Sequence, residues 1–327
     1  MDIITGATGL LGNALIRELL NRGRNIKALV RKSSDTACFS GCEVEQLFGD
    51  VLDLESLKKA FIGAEYVYHL ASEVSIMPGR HRRLREINIT GTDNVIKACL
   101  ECKVKRLVYT SSIHAFKESK DGTIIDETLP FDPCNRMGEY NRTKAKASIA
   151  VLEAVRLRGL DAVIVCPTGI MGPYDFKLSN IGSMFIDYFT GKQKIIVDGA
   201  FDFVDARDAA IGHILAAQKG INGQTYMLSG QRVTMSELMQ ILKDTTGIPI
   251  PKYKLPVWVA YPVAMLTPIY YRITGHKPVF TIYSLRTLRS NSYISHGKAT
   301  EQLGYNPRPI RQTIRESVDW LKKCNLF

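Results

Sequence analysis

The chain has 327 residues, 45% of them apolar and 23% charged, a mixture that excludes disordered and fibrous classes in favour of a globular protein. Its length exceeds what one small core serves, so one large domain or two lobes are expected. The formal charge of +11 suits an anionic partner, but Arg80-His81-Arg82-Arg83 with Arg85, and Arg308, Arg311 and Arg315, lack interleaved aromatics; solvated basic surface is expected, and no nucleic-acid partner.

Met1 and Asp2 lead straight into an apolar run, Ile3 to Thr5, leaving no room for a targeting segment, and a cytoplasmic protein is expected. The run ends in Gly6-Ala7-Thr8-Gly9-Leu10-Leu11-Gly12, after which Ala14, Leu15, Leu19 and Leu20 recur at helical spacing. Strand, glycine turn and helix form the context that a dinucleotide loop requires. Glycines let the backbone turn tightly beside a pyrophosphate, whose charge meets amides at the helix N-terminus. The second strand, Ile26 to Val30, runs into Arg31-Lys32-Ser33. An acid here would bind a ribose 2′-hydroxyl, whereas a cation accommodates a 2′-phosphate. Arg31 and Lys32 therefore favour NADP(H), with NAD(H) as the alternative.

Further units alternate. Val44 to Phe48 reads as a strand leading to Gly49-Asp50-Val51, Leu54 to Phe61 as a helix and Tyr66 to Leu70 as a strand. Asn88 to Cys102 is the next helix, followed by the strand Arg106 to Thr110, the helix Glu139 to Arg158 and the strand Ala162 to Cys166. This alternation implies an α/β, Rossmann-type, doubly wound parallel sheet, with Ser111, Ser112 and Pro167 at strand ends that face a cofactor.

Beyond Gly172 the alternation breaks: Val204 to Ala217 reads as a helix, Thr225 to Ser229 as a strand and Ser236 to Thr245 as a helix. The expected organisation is a dinucleotide-binding domain over 1–172, to which 201–230 return, and a smaller, mostly helical C-terminal substrate lobe over 173–200 and 231–327. Leu255 to Tyr271 is apolar but interrupted by Pro256, Pro262 and Pro268, too short and broken for a membrane span of about 20 apolar residues. It is expected to wall an apolar pocket, with a peripheral membrane contact as the alternative. Seven cysteines, an odd number without a secretion signal, indicate reduced thiols. Neither Cys38/Cys42 nor Cys99/Cys102 has a nearby histidine, so no metal site is expected.

The chemistry concentrates at Tyr140-Asn141-Arg142-Thr143-Lys144. On a helix Tyr140 and Lys144 share a face, so an ammonium neighbours a phenol and favours its ionised form. A free tyrosine ionises near pH ~10, and such a neighbour suits it to general acid/base work. Three other polar residues have structural readings beside functional ones. His114, a loop histidine without a partner in view, is expected to be structural. Asn88 either orders a water or caps its own helix. Arg207 is expected to pair with Asp205 or Asp208.

Together these residues resemble the extended branch of the short-chain dehydrogenase/reductase family. The matching features are Thr5-Gly6-x-x-Gly9-x-x-Gly12, Asp50-Val51, His69-Leu70-Ala71, Asn88 with Gly91-Thr92, and Thr110-Ser111-Ser112. Tyr140-x-x-x-Lys144, Pro167 with Gly172-Pro173, Val204-Asp205, and Lys298-Ala299 through Leu303-Gly304-Tyr305 extend the match along the whole chain. The resemblance implies Tyr140 as acid/base, Ser112 as the hydrogen-bond partner of the reacting oxygen, and Lys144 as the residue that binds the nicotinamide ribose and lowers the tyrosine pKa. It also implies that Gly6, Gly9 and Gly12 hold the pyrophosphate, Arg31 the 2′-phosphate, Asp50 and Val51 the adenine, and Ala71 the backbone near the nicotinamide ribose. Pro167 would lie behind the ring. Thr8, Leu10, Leu11, Lys32, Leu70 and Ser72 belong to the same implied cofactor site, as do Asn88, Thr110, Ser111, Thr168, Gly169 and Ile170.

Nucleotide-sugar epimerases of this branch usually follow their Ser-Ser with Val-Tyr-Gly, and dehydratases carry an acidic pair there. This chain has Ile113-His114-Ala115-Phe116, and its Cys166-Pro167-Thr168-Gly169-Ile170 looks more like the dihydroflavonol reductase and hydroxysteroid dehydrogenase relatives. The implied function is NADPH-dependent reduction of a ketone or aldehyde, or oxidation of the alcohol, on a fairly apolar small molecule. An NAD-dependent nucleotide-sugar epimerase or dehydratase and a non-catalytic NADP-binding sensor are the alternatives. Members of the branch commonly form a homodimer through the helices that hold Asn88 and Tyr140, and a homodimer is expected here.

Overall fold

The computed structural model describes residues 1–75, 81–274 and 281–326, so Arg80 of the basic cluster lies outside the described residues. The first half alternates: β1 (Asp2–Thr5), α1 (Leu10–Asn21), β2 (Ile26–Val30), β3 (Glu45–Phe48), α2 (Leu54–Phe61) and β4 (Tyr66–His69). It continues with α3 (Arg82–Arg85), α4 (Gly91–Glu101), β5 (Arg106–Thr110), α5 (Glu139–Arg158) and β6 (Ala162–Pro167). After β6 come β7 (Gly169–Met171), α6 (Asn180–Phe189), β8 (Ile195–Val197), β9 (Ala200–Asp205), α7 (Ala206–Lys219) and β10 (Thr225–Leu228). The remainder is β11 (Gln231–Thr234), α8 (Met235–Thr246), β12 (Tyr253–Leu255), α9 (Val257–Thr274), α10 (Ile282–Arg289), α11 (Gly297–Leu303) and α12 (Ile310–Lys323).

The main sheet has seven parallel strands in the order β10-β6-β5-β4-β1-β2-β3. Its central strands are buried on both faces, as a sheet covered by helices on both sides requires, while the edge strand β3, Glu-Gln-Leu-Phe, is largely exposed. Adjacent residues serve opposite cores: Ile4, Tyr68, Val108 and Val165 pack with α1 and α7, whereas Ile3, Val67, Leu107 and Ile164 pack with α2, α4 and α5. The strand order reverses between β1 and β4, which opens a crevice at their C-terminal ends. The candidate catalytic and cofactor-binding residues lie along that edge.

Three elements differ from expectation. The stretch from Val204 begins as strand: β9 runs to Asp205, whose carboxylate accepts the Arg207 amide and so starts α7 at Ala206. Apolar residues at Phe201, Phe203 and Val204 suit either period, and pairing with β7 and β11 decides for the strand. Second, the helix expected from Asn88 begins at Arg82, because a π-turn over Glu86–Thr90 joins α3 to α4. Asn88 therefore lies inside a helix and caps nothing. Third, α9 runs through both Pro262 and Pro268.

Residues 201–230 divide between sheets: β10 joins the main one, while β9 forms a three-stranded sheet with β7 and β11. A separate core lies under it, built from Phe185, Tyr188, Leu238, Leu242, Ile314 and Val318 of α6, α8 and α12. Salt bridges tie the C-terminal segment down. Arg308 grips Asp208 at 2.8 Å, and Arg207 pairs with Asp205, as its position on α7 led us to expect, and also with Glu316 of α12. Among the described residues, no helix is long and apolar enough to cross a membrane.

Candidate active site

The turn after β1 shows why its glycines differ in purpose. Gly6 has φ +72°, and a Cβ there would lie 2.6 Å from the Ala71 amide nitrogen; one on Gly12 would lie 2.4 Å from the Gly6 carbonyl oxygen. Both glycines are demanded by the packing of the turn itself. Gly9 is not: its Cβ would meet nothing nearer than the Gly6 oxygen at 3.4 Å and would fill the space above the turn. Gly9 is also the N-cap of α1, with no side-chain cap and no acid in the first helical turn that Leu10 and Leu11 begin. Open space over uncapped, positively polarised amides fits a pyrophosphate.

Lys177 adds a cation that sequence reasoning missed. It donates to the Thr8 hydroxyl at 2.6 Å from the loop after β7, 169 residues away in the chain, and no local pattern announces such a contact. The same loop lays Tyr174 under the Arg17 guanidinium of α1, 4.4 Å from the ring centre.

Arg31 and Lys32 are exposed at the end of β2, and among the described residues no carboxylate pairs with Arg31. The nearest acid downstream, Asp35, accepts the Ala37 amide instead. Asp50 and Val51 follow β3; the Asp50 carboxylate accepts the Leu52 amide, and the Val51 carbonyl accepts from Asn94. Leu70 and Ala71 close on Gly6 from β4. Asn88 then pins the adjoining loop: its carbonyl oxygen accepts from the Glu73 amide and the Ser72 hydroxyl, and its amide group donates to the Glu73 carbonyl and, at 3.1 Å, to Thr143 of α5. Buried His69 reaches from Thr5 to Thr92. Thr92 already donates to the Asn88 carbonyl, so His69 donates to it through Nε2 and accepts from Thr5 through Nδ1. Burial pushes this imidazole down to about 3, consistent with the neutral form that the bonding needs.

At the end of β5 the candidate catalytic side chains meet. Lys144 is buried and donates to the Thr110 carbonyl at 2.7 Å, while Ser111 shares a 2.6 Å hydrogen bond with Ser148 one helical turn on. Thr110 is itself oriented by His213, which donates through Nδ1 to the Ala209 carbonyl and so accepts from Thr110 through Nε2. Ser112 accepts the His114 amide at 3.2 Å and lies against the Tyr140 phenol.

The electrostatics correct one expectation. Burial pushes the Tyr140 phenol up to about 12, with the Ser112 hydroxyl offsetting part of the rise, and Lys144 is turned onto the Thr110 carbonyl. Desolvation is the largest cause of that rise, and the phenol is protonated at neutral pH, as an unshifted tyrosine also would be.

On the other wall, buried Pro167 ends β6, the Thr168 amide donates to the Leu228 carbonyl, and Gly169 and Ile170 pair with Phe203 and Val204 in the smaller sheet. Tyr283 of α10 was also missed: its hydroxyl donates to Asn141 at 2.8 Å, and its ring packs on Gly138 and edge-on to His114. His114 is half-buried there, with burial lowering it to about 4. A cavity of about 480 Å³ lined by Asp121, Asp198, Arg232 and Arg289 lies apart from this cluster and shares none of its residues.

Burial also lowers the Lys144 amine from 10.5 to about 7. Between these values the unfolded chain holds a proton that the folded chain has lost, so the group destabilises the fold at low pH and its penalty fades as pH rises. The stability of the native protein relative to Lys144→Met should therefore increase from about pH 7 toward 10.5, measured by denaturant unfolding at constant ionic strength. A difference that stays flat with pH would mean that the amine is not desolvated.

A model of the NAD dependent epimerase/dehydratase family matches residues 3–229. Sterol demethylase protein B of Methylococcus capsulatus is 36% identical over 99% of both chains. A putative dihydroflavonol 4-reductase of Synechocystis is 28% identical over 98% of this chain and 94% of its own. Among solved structures, that of gox2253 superposes with a TM-score of 0.88 at 31% identity, covering 100% of this chain and 99% of that one.

Proposed function

Because the chain belongs to the NAD dependent epimerase/dehydratase family, whose members are NAD(P)-dependent enzymes, we propose that it uses NADP(H) to interconvert an alcohol and a ketone or aldehyde on a fairly apolar, polycyclic small molecule. The observation that carries this reading is the cluster at the end of β5: a protonated phenol against Ser112, one helical turn from a buried amine. A bound nicotinamide dinucleotide would supply or accept the hydride. The residues present would do the rest. Ser112 would hydrogen-bond the substrate oxygen, Tyr140 would pass its proton to that oxygen as charge develops on it, and Lys144 would hold the ribose side of the cofactor. The phenol is protonated at neutral pH, the form that reduction requires.

The substrate class is supported by two relatives, a sterol demethylase protein and a putative dihydroflavonol 4-reductase, and by the aromatic Tyr283, which bonds Asn141, the residue after Tyr140. The test is NADPH oxidation against polycyclic ketones, small aldehydes and nucleotide sugars. Turnover is expected with the apolar ketones, and turnover confined to nucleotide sugars would overturn the proposal.

The cofactor preference has its own test. Replacing Arg31 by Ala should weaken NADPH binding by roughly tenfold or more, since a charge-assisted contact to the 2′-phosphate is lost, and leave NADH binding unchanged. Equal losses for both nucleotides, or a native preference for NADH, would count against NADP(H).

A further inference from the structure

Helix α9 is apolar on every side, with Arg272 as its single charged residue. A helix of that composition is ordinarily buried or in contact with lipid. Among the described residues, only one side is covered. Ala260 and Ala264 pack on Leu285 of α10, with Tyr261, Ile282 and Leu288 around them. On the other side Trp258 is 73% exposed, Met265 65%, Leu266 67%, Ile269 59% and Ile273 81%. At 100° per residue these five positions fall within an arc of about 100°, so they make one continuous stripe, not scattered surface apolar residues. The apolar segment expected to wall a pocket thus turns much of its surface outward.

The surrounding charge indicates what covers the stripe. From 245 to 300 the chain has no Asp or Glu, yet it has seven cations: Lys252, Lys254, Arg272, Lys277, Arg286, Arg289 and Lys298. Lys252, Lys254, Arg272, Arg286 and Arg289 are exposed, before, at the end of and after the stripe. We propose that α9 docks this protein in the plane of an anionic lipid surface, its stripe sunk below the headgroups and the flanking cations against them. An aromatic at one end, an Arg at the other and an aliphatic row between suit a helix lying in an interface. A second copy of the chain would bring a like-charged segment against this one, which disfavours self-association through the same face. The surface adjoins the candidate active site, because α10, on which α9 rests, carries the Tyr283 that bonds Asn141 beside Tyr140. An apolar compound dissolved in lipid would reach the site from that side.

Sedimentation of the full chain with vesicles tests the proposal directly, whatever reaction the protein catalyses. Binding to vesicles of mixed phosphatidylglycerol and phosphatidylcholine is expected to exceed binding to pure phosphatidylcholine and to weaken with added salt. In a Trp320→Phe background, Trp258 emission should shift to the blue on binding. The pair Leu266→Glu and Ile269→Glu, both on the exposed stripe, should lower vesicle affinity at least about tenfold with circular dichroism and melting temperature unchanged. Failure of the native chain to bind anionic vesicles, or equal binding by the double variant, would overturn the proposal. So would a native dimer that the double variant converts to monomer, because a second copy would then be the occupant of the stripe.

Discussion

Tyr140→Phe is expected to lower turnover by about 10²- to 10⁴-fold, the usual contribution of a positioned acid/base, with NADPH affinity nearly unchanged. The reasoning is local. The phenol lies against Ser112 at the end of β5, half-buried, and carries its proton at neutral pH. Removing one oxygen leaves the ring, the Lys144 contact with Thr110 and the Asn88–Thr143 contact in place. Binding and chemistry should therefore separate: kcat falls, while the dissociation constant of the dinucleotide, measured by fluorescence titration, stays put. If kcat with the best substrate survived the change, the proton would come from another group and the assignment of Tyr140 would be wrong.

The second large effect is structural. Gly12→Val places a Cβ 2.4 Å from the Gly6 carbonyl oxygen and 2.7 Å from the Ala7 Cα, both backbone atoms that cannot rotate away. Helix α1 must lift off the turn, at a cost of about 1 to 3 kcal/mol as for other overpacked sites. Dinucleotide affinity should fall about a hundredfold, ~2.7 kcal/mol at 25 °C, because the first-turn amides lose their aim. Denaturant midpoints and nucleotide titration read the two effects separately. Gly9→Ala provides the contrast: its Cβ has no close neighbour, so stability should hold while the pyrophosphate is crowded out. Unchanged affinity in Gly9→Ala would mean that the space above the turn is not where the pyrophosphate lies.

Short-range patterns decided much of this protein. The short apolar runs at Ile3-Ile4 and Leu107-Val108, the glycine turn before Leu10, and the four-residue spacing of Tyr140 and Lys144 are all local, and each was legible without coordinates because the backbone geometry that reads them spans only a few residues. The same locality explains the misreadings. Val204 and Asp205 have a pattern that fits helix and strand alike, and only β7 and β11, distant in sequence, make them a strand.

What tertiary structure alone decided is solvation and remote contact. Spacing placed Lys144 beside Tyr140, but how deeply each is buried, and that the amine turns to the Thr110 carbonyl, depend on how α5 packs against β5. Those facts reverse the expected direction of the phenol's shift. Lys177 at the glycine turn and Tyr283 at Asn141 arrive from 169 and 142 residues away, and the outward apolar stripe of α9 is visible only once its inner side is seen to be filled by α10. Sequence thus determined which groups are present and which neighbours along the chain they have; desolvation and long-range contact, which depend on everything packed around a group, were left to the fold.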